Sequence, residues 1–244
     1  MMRPFLFFVF ATVALAARAE PLRFASGPRQ TALIELYTSE GCSSCPPAER
    51  WLAGLRRDPG LWNDFVPVAF HVNYWDNLGW SDRFASREFT ARQYALAARW
   101  GSGSVYTPCF VRNGAEWHPS DRTPAEDGTT GVLAVTIDPD SGACRVEFSS
   151  AEKTPADYEA HVALLGGGLV SNVTAGENEG ETLRHEFVAL ALADTPMKSV
   201  GAHAAVEMQL PESKTVGADR RAVAVWITRR GKLAPFQATG GWVK

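Results

Sequence analysis

The sequence predicts an α/β N-terminal part followed by a mostly β, sandwich-like C-terminal part. Three observations lead there. Apolar, β-leaning runs at Ala32–Tyr37, Phe65–Trp75 and Tyr106–Val111 alternate with helix-patterned segments. Beyond residue 121 no helical pattern follows, and short apolar runs recur between turn signals. Between the first run and the first helical segment stands Cys42-Ser43-Ser44-Cys45, and strand, C-x-x-C, helix is the setting of a redox-active thiol pair.

Taken in order, the chain opens with Arg3 ahead of an uncharged apolar run, Phe5–Ala17, and then Ala17-Arg18-Ala19. That is the pattern of a secretory signal peptide over residues 1–19, with cleavage before Glu20, and the run is too short for a spanning helix. Residues 20–30, polar and holding Gly and Pro, read as a lead-in. Pro46 and Pro47 fit the first turn of a helix, where early amide hydrogens have no helical partner. Trp51, Leu52 and Leu55 repeat at helical spacing until Asp58-Pro59-Gly60 stops them. Phe65–Trp75 shows little alternation, as a strand covered on both faces would. Ser86–Trp100 is helical in pattern, and Gly101 stops it. Asn113-Gly114 is a two-residue hairpin signal leading into a return strand from Ala115 to His118.

After a boundary near residues 120–131, strands are expected at Val132–Ile137, Cys144–Phe148, Tyr158–Leu165, Leu183–Ala193, His203–Leu210, Ala222–Thr228 and Leu233–Ala238. The expected organisation is therefore a signal (1–19), a lead-in (20–30), an α/β domain (31–125) and a β-rich domain (126–244).

Composition narrows the function classes. The chain carries 24 basic and 27 acidic residues, and loss of Arg3 and Arg18 with the signal moves the net charge from −3 to −5. A mildly acidic chain without a basic run has no footprint for nucleic acid or a membrane surface. Apolar content of 45% suffices for a core. Four cysteines in an exported chain enter a compartment where disulfides persist. Export also makes the expected location periplasmic or extracellular.

The thiolate is the nucleophile in disulfide exchange, and a helix amino end lowers its pKa. Cys42, on the loop side, is the expected exposed attacker, and Cys45, at the helix start, the resolver. An inert local disulfide is the plain alternative. Zinc would call for a second C-x-x-C or a His pair, and neither is present, so no metal ligand and no cofactor is expected. Thr107-Pro108 opens the third strand, and proline is the residue that takes the cis form readily. A cis step there leaves the backbone of Thr107 free to pair with an extended substrate chain.

These features together resemble the thioredoxin superfamily, which implies a thioredoxin-like N-terminal domain with Cys42 as nucleophile, Cys45 as resolver and Pro108 as a cis-proline facing them. The buried acid of that superfamily has Glu35 as its nearest match, one residue out of place. The segments Leu36–Ala48, His71–Asp76, Leu78–Trp80, Phe89–Gln93 and Tyr106–Pro108 are similar to domain-of-unknown-function family 1223. Weaker echoes of it stand at Gly176-Glu177-Asn178 and Leu183-Arg184-His185. That family implies exported proteins with a thioredoxin-like N-terminal part and a β-rich C-terminal part. Two departures are Asn73, where Asp is expected, and Cys109, where Gln is expected.

Cys109 and Cys144 have three arrangements open: a bridge, two separate buried thiols, or Cys109 joining Cys42 and Cys45 as a soft Cu(I) set. His71 is either a hydrogen-bonded core residue or a group that polarises a thiolate or binds a metal. Trp75 and Trp80 either line a groove or cover the sheet. The leading expectation is a thiol–disulfide oxidoreductase acting on protein thiols or disulfides. The rival is a non-catalytic binding protein, for Cu(I) through Cys42, Cys45 and Cys109 or for a protein partner.

Overall fold

The lead-in already departs from expectation in the computed structural model, which describes residues 19–119, 126–152, 154, 156–213 and 217–243. Leu22–Ala25 forms a strand, β1, although its run is too short and mixed to signal one. The signal peptide expected over 1–19 falls almost entirely outside the described residues. Strand β2 (Ala32–Thr38) runs wholly buried into the C-x-x-C loop, and α1 (Cys45–Gly54) follows with prolines in its first turn. Strand β3 (Phe65–His71) lies parallel to β2, so α1 is the crossover between them. It ends at His71 rather than Trp75, and a short turn of helix at Asp76–Leu78 follows. Helix α2 (Arg87–Arg99) is capped by Ser86, whose hydroxyl accepts from the Glu88 amide at 3.1 Å.

Strand β4 (Cys109–Arg112) returns antiparallel to β2, and Asn113-Gly114 turns it into β5 (Ala115–Glu116). Both turn residues have positive φ, 49° and 81°, which a primed two-residue turn requires. The rest of the described chain is strands: β6 (Gly131–Ile137), β7 (Ala143–Ser150), β8 (Tyr158–Gly167), β9 (Leu169–Asn172), β10 (Thr182–His185), β11 (Val188–Pro196), β12 (Lys198–Val200), β13 (His203–Gln209), β14 (Arg220–Arg229) and β15 (Pro235–Val243). The strand expected over Leu183–Ala193 is thus two. Phe187, at φ 58°, breaks it and sends β10 to pair with β9 while β11 joins the main sheet.

Sheet pairing overturns the expected fold class. One eight-stranded sheet runs β15-β14-β8-β11-β3-β2-β4-β5, so strands from both halves of the chain share it. The second edge of β3 is taken by β11 in parallel, and the Ala69 amide donates to the Phe187 carbonyl at 2.8 Å. No clear thioredoxin-like α/β N-terminal domain followed by a β sandwich-like domain exists: the protein is mostly β, with two α-helices among the described residues. The reason is physical. A strand buried on both faces still has an open hydrogen-bonding edge, and local sequence does not name the strand that fills it.

Packing follows the two faces of the large sheet. On β14, Ala222, Ala224 and Trp226 enter one core with Phe65, Phe70, Phe89 and Phe187. Val223, Val225 and Ile227 alternate to the other face. There they meet Leu133, Val135, Val146 and Phe148 of the five-stranded sheet, whose order is β1-β6-β7-β13-β12. Gly240 and Gly241 of β15 allow close approach, since an added Cβ would stand 2.8 Å from the Trp62 ring and 2.1 Å from the Phe24 ring.

A shared sheet and core make a direct prediction. A chain cut to residues 20–119 loses β11 and Trp226, leaving the β3 edge unpaired and Phe70 uncovered. Urea unfolding followed by circular dichroism should give the full chain a cooperative transition and the truncated chain none.

Candidate functional site

Cys42 and Cys45 form a disulfide with a Cα–Cα distance of 5.4 Å, in the loop and first helical position after β2. The Cys45 amide donates to the Cys42 carbonyl at 3.1 Å. Pro46 and Pro47 carry no amide hydrogen, so α1 offers its amino end fewer free donors than an ordinary helix. That weakens the helical contribution to a thiolate here. Cys42 Sγ lies 3.8 Å from the Thr107 carbonyl and 3.3 Å from Ser44 Oγ. The Thr107–Pro108 peptide is cis. All four residues singled out in the sequence are therefore drawn to one place.

Neither cysteine is exposed: both have 0% relative accessibility. The loop between β9 and β10 closes over them. Asn178 Nδ2 donates to the carbonyls of Glu40 (2.8 Å) and Cys42 (3.0 Å). Glu177 accepts from the Ser43 amide and hydroxyl at 3.1 and 2.7 Å. Trp75 packs against Gly41 and donates its indole N–H to Thr107 Oγ1 at 2.8 Å. Trp80 donates to Glu40 Oε2 at 2.7 Å. The two tryptophans therefore hold the site by hydrogen bonds. Beside the pair a cleft of about 500 Å³ opens, lined by Ser43, Pro46, Pro47, Arg50, Glu177 and Arg184 among others.

Next to the disulfide lies a buried polar cluster that sequence reasoning largely missed. Glu49 follows Cys45 by one helical turn, so the two share a face of α1. Its Oε1 accepts from Thr38 Oγ1 at 2.7 Å, and its Oε2 pairs with His185 Nδ1. His185 Nε2 stands 3.2 Å from Glu40 Oε1. His71 Nδ1 pairs with Asp82 Oδ2 at 2.6 Å, and the His71 and His185 rings are 5.2 Å apart. Burial disfavours the charged form of Glu49 and Asp82, but the facing histidines outweigh it and hold both carboxyls below the usual range. His71 is thus buried and bonded through Nδ1. His185, to which no role was assigned, is the link between β10 and α1. The faint signals were Leu183-Arg184-His185 and Gly176-Glu177-Asn178, which turn out to be the wall and the lid of the site.

Glu35 is elsewhere employed. Arg92 donates to both its oxygens, at 2.7 and 3.1 Å, and Tyr37 donates to Oε2 at 2.8 Å. Asn73 accepts from Thr90 at 2.8 Å. Cys109 and Cys144 are free and buried in different cores, so the bridge between them is excluded. Burial pushes each thiol up to about 11. As a closed disulfide, Cys42 and Cys45 offer no thiolate, so a Cu(I) set with Cys109 would require their reduction.

Two outcomes test this geometry. With thiols buried and their pKa raised, iodoacetamide at pH 7.5 should leave Cys109 and Cys144 unmodified in the native protein and label both after unfolding without reductant. Asn178→Ala removes two bonds to buried carbonyls, at a cost of about 1–3 kcal/mol. It should speed reduction of Cys42–Cys45 by dithiothreitol several-fold, read by thiol titration.

No curated protein matches the chain. Protein AGR_C_4864 from Agrobacterium tumefaciens is a structural neighbour at 22% identity, covering 87% of this chain and 93% of that one with a TM-score of 0.59. HBP35 of Porphyromonas gingivalis is another, at 12% identity, covering 88% and 76% with a TM-score of 0.60. At such identities the likeness is one of fold alone. Residues 33–228 match the family described as "Protein of unknown function (DUF1223)", and the chain belongs to that family.

Proposed function

We propose that this protein is an exported thiol–disulfide oxidoreductase that works through Cys42 and Cys45 on protein thiols or disulfides. One arrangement carries the reading: the disulfide sits at the start of α1 with Cys42 Sγ 3.8 Å from the Thr107 carbonyl, where a substrate chain could pair alongside it. In the oxidising direction a partner thiolate attacks Cys42 Sγ. The Cys42–Cys45 bond breaks, and Cys45 leaves as a thiolate that takes up a proton. A second partner thiolate then attacks the partner's own sulfur in the mixed disulfide and releases Cys42. Two electrons pass to the pair, and the partner departs with a disulfide. Exchange requires the loop between β9 and β10 to move, because both sulfurs are covered. The uncharged Ser43-Ser44 and the proline-rich helix start favour a pair that is not a strong oxidant.

Export is supported by the pattern of residues 1–19 and by a disulfide suited to an oxidising compartment. Among the described residues no helix is long and apolar enough to cross a membrane. Complete burial of both cysteines favours one second reading, an inert structural bridge.

A trapping experiment decides between them. Cys45→Ser should accumulate a mixed disulfide with a reduced-and-oxidised model protein pair, seen by non-reducing electrophoresis, and Cys42→Ser should not. An unreactive pair with a reduction potential below about −300 mV would instead establish the structural bridge.

A further inference from the structure

We infer that Glu49, His71 and His185 form a buried binding site for one divalent transition-metal cation of the Zn²⁺ class. These residues come from α1, β3 and β10, and one ligand atom from each lies within 4.8 Å of the other two. Donors on a single tetrahedral Zn²⁺, bound at about 2.0–2.2 Å, stand about 3.4 Å apart. Any donor pair at the full 4.8 Å therefore needs to draw in by no more than roughly 1–1.5 Å, while the close Glu49–His185 contact has to open and give up its shared proton to the ion.

A second observation points to a ligand. His71 is wholly buried, and with Nδ1 given to Asp82 its Nε2 has no hydrogen-bond partner. Beside it, Glu40 Oε1 and His185 Nε2 form a buried ion pair at 3.2 Å, which leaves His71 Nε2 as the unpartnered atom. Buried polar atoms are seldom left so. The outer groups are those that orient metal ligands: a carboxylate on the far nitrogen of His71, and the Thr38 hydroxyl on the far oxygen of Glu49.

Chemistry of the donors selects the ion. Two imidazoles and a carboxylate suit Zn²⁺ and its neighbours in the first transition row. Ca²⁺ and Mg²⁺ prefer oxygen alone, and Cu(I) prefers sulfur. Bound there, the cation ties β10, and with it the loop over the disulfide, to α1. The site holds whether the cysteine pair turns over or is a fixed bridge.

The test uses the untagged chain from residue 20 to 244 with Cys42–Cys45 kept oxidised, stripped by chelator, then gel-filtered after exposure to ZnCl₂. Elemental analysis should find about one zinc per chain, and a raised melting temperature should accompany it. His71→Ala and His185→Ala should each weaken zinc binding by about a hundredfold or more in calorimetric titration, and Asp82→Asn by about ten- to a hundredfold. His203→Ala, at an exposed position of β13, should leave it unchanged. Circular dichroism checks that each variant folds. If the alanine variants do not, Co²⁺ loaded into the wild-type chain decides, since visible ligand-field absorption of tetrahedral intensity supports the site and its absence overturns it. No retained zinc, binding unchanged in folded His71→Ala and His185→Ala, or zinc that appears only after Cys42–Cys45 is reduced would each overturn the inference.

Discussion

Strand β3 is paired on both edges, and the architecture depends on that. Its parallel bond to β2 sets α1 across one face, which is why the disulfide and Glu49 come to the carboxyl ends of these strands. Its parallel contact with β11 on the other side carries the sheet into the second half of the chain. Because Phe187 supplies the carbonyl for that contact, the chain immediately before it, β10 with His185, is delivered beside the C-x-x-C loop. One hydrogen-bonded edge thus builds the sheet and completes the site.

Two buried charge systems flank β2 and are handled differently. Glu35 meets a single guanidinium with a bidentate fork, the arrangement that best offsets the cost of burying a charge. Arg92 in turn lies over the Phe70 and Trp226 rings, so the pair is sealed by aromatic packing. Around Glu40, Glu49 and Asp82 the compensating groups are two histidines, and some of their atoms remain unbonded. The first system is closed on itself. The second leaves His71 Nε2 without a partner, and it sits next to the disulfide.

The cover over Cys42 and Cys45 shapes what chemistry the pair can perform. A disulfide under Asn178 and Glu177 is covered by the loop between β9 and β10. The Glu177–Ser43 contacts are exposed, whereas Asn178 is buried and bonded to two carbonyls beneath it, so uncovering the sulfurs costs those buried bonds. Access and reactivity are therefore separate properties here. The loop governs the first, and the helix start with its two prolines governs the second.

By itself the sequence determined what neighbours in the chain decide. The buried run of β2, the proline-led start of α1, the Ser86 cap and the Asn113-Gly114 turn each follow from a few adjacent residues. So does the position of Cys42-Ser43-Ser44-Cys45 between strand and helix. Only tertiary structure decided which strand filled the free edge of β3, that Leu183–Ala193 breaks at Phe187, and that strands from both halves of the chain share one sheet. It also decided the site's far wall, bringing His185 and Asn178 to Glu49 and Cys42 across more than 130 residues of chain. Strand edges and lone polar side chains carry no periodic signal. Their partners are fixed by which surfaces remain unsatisfied once the local elements have formed.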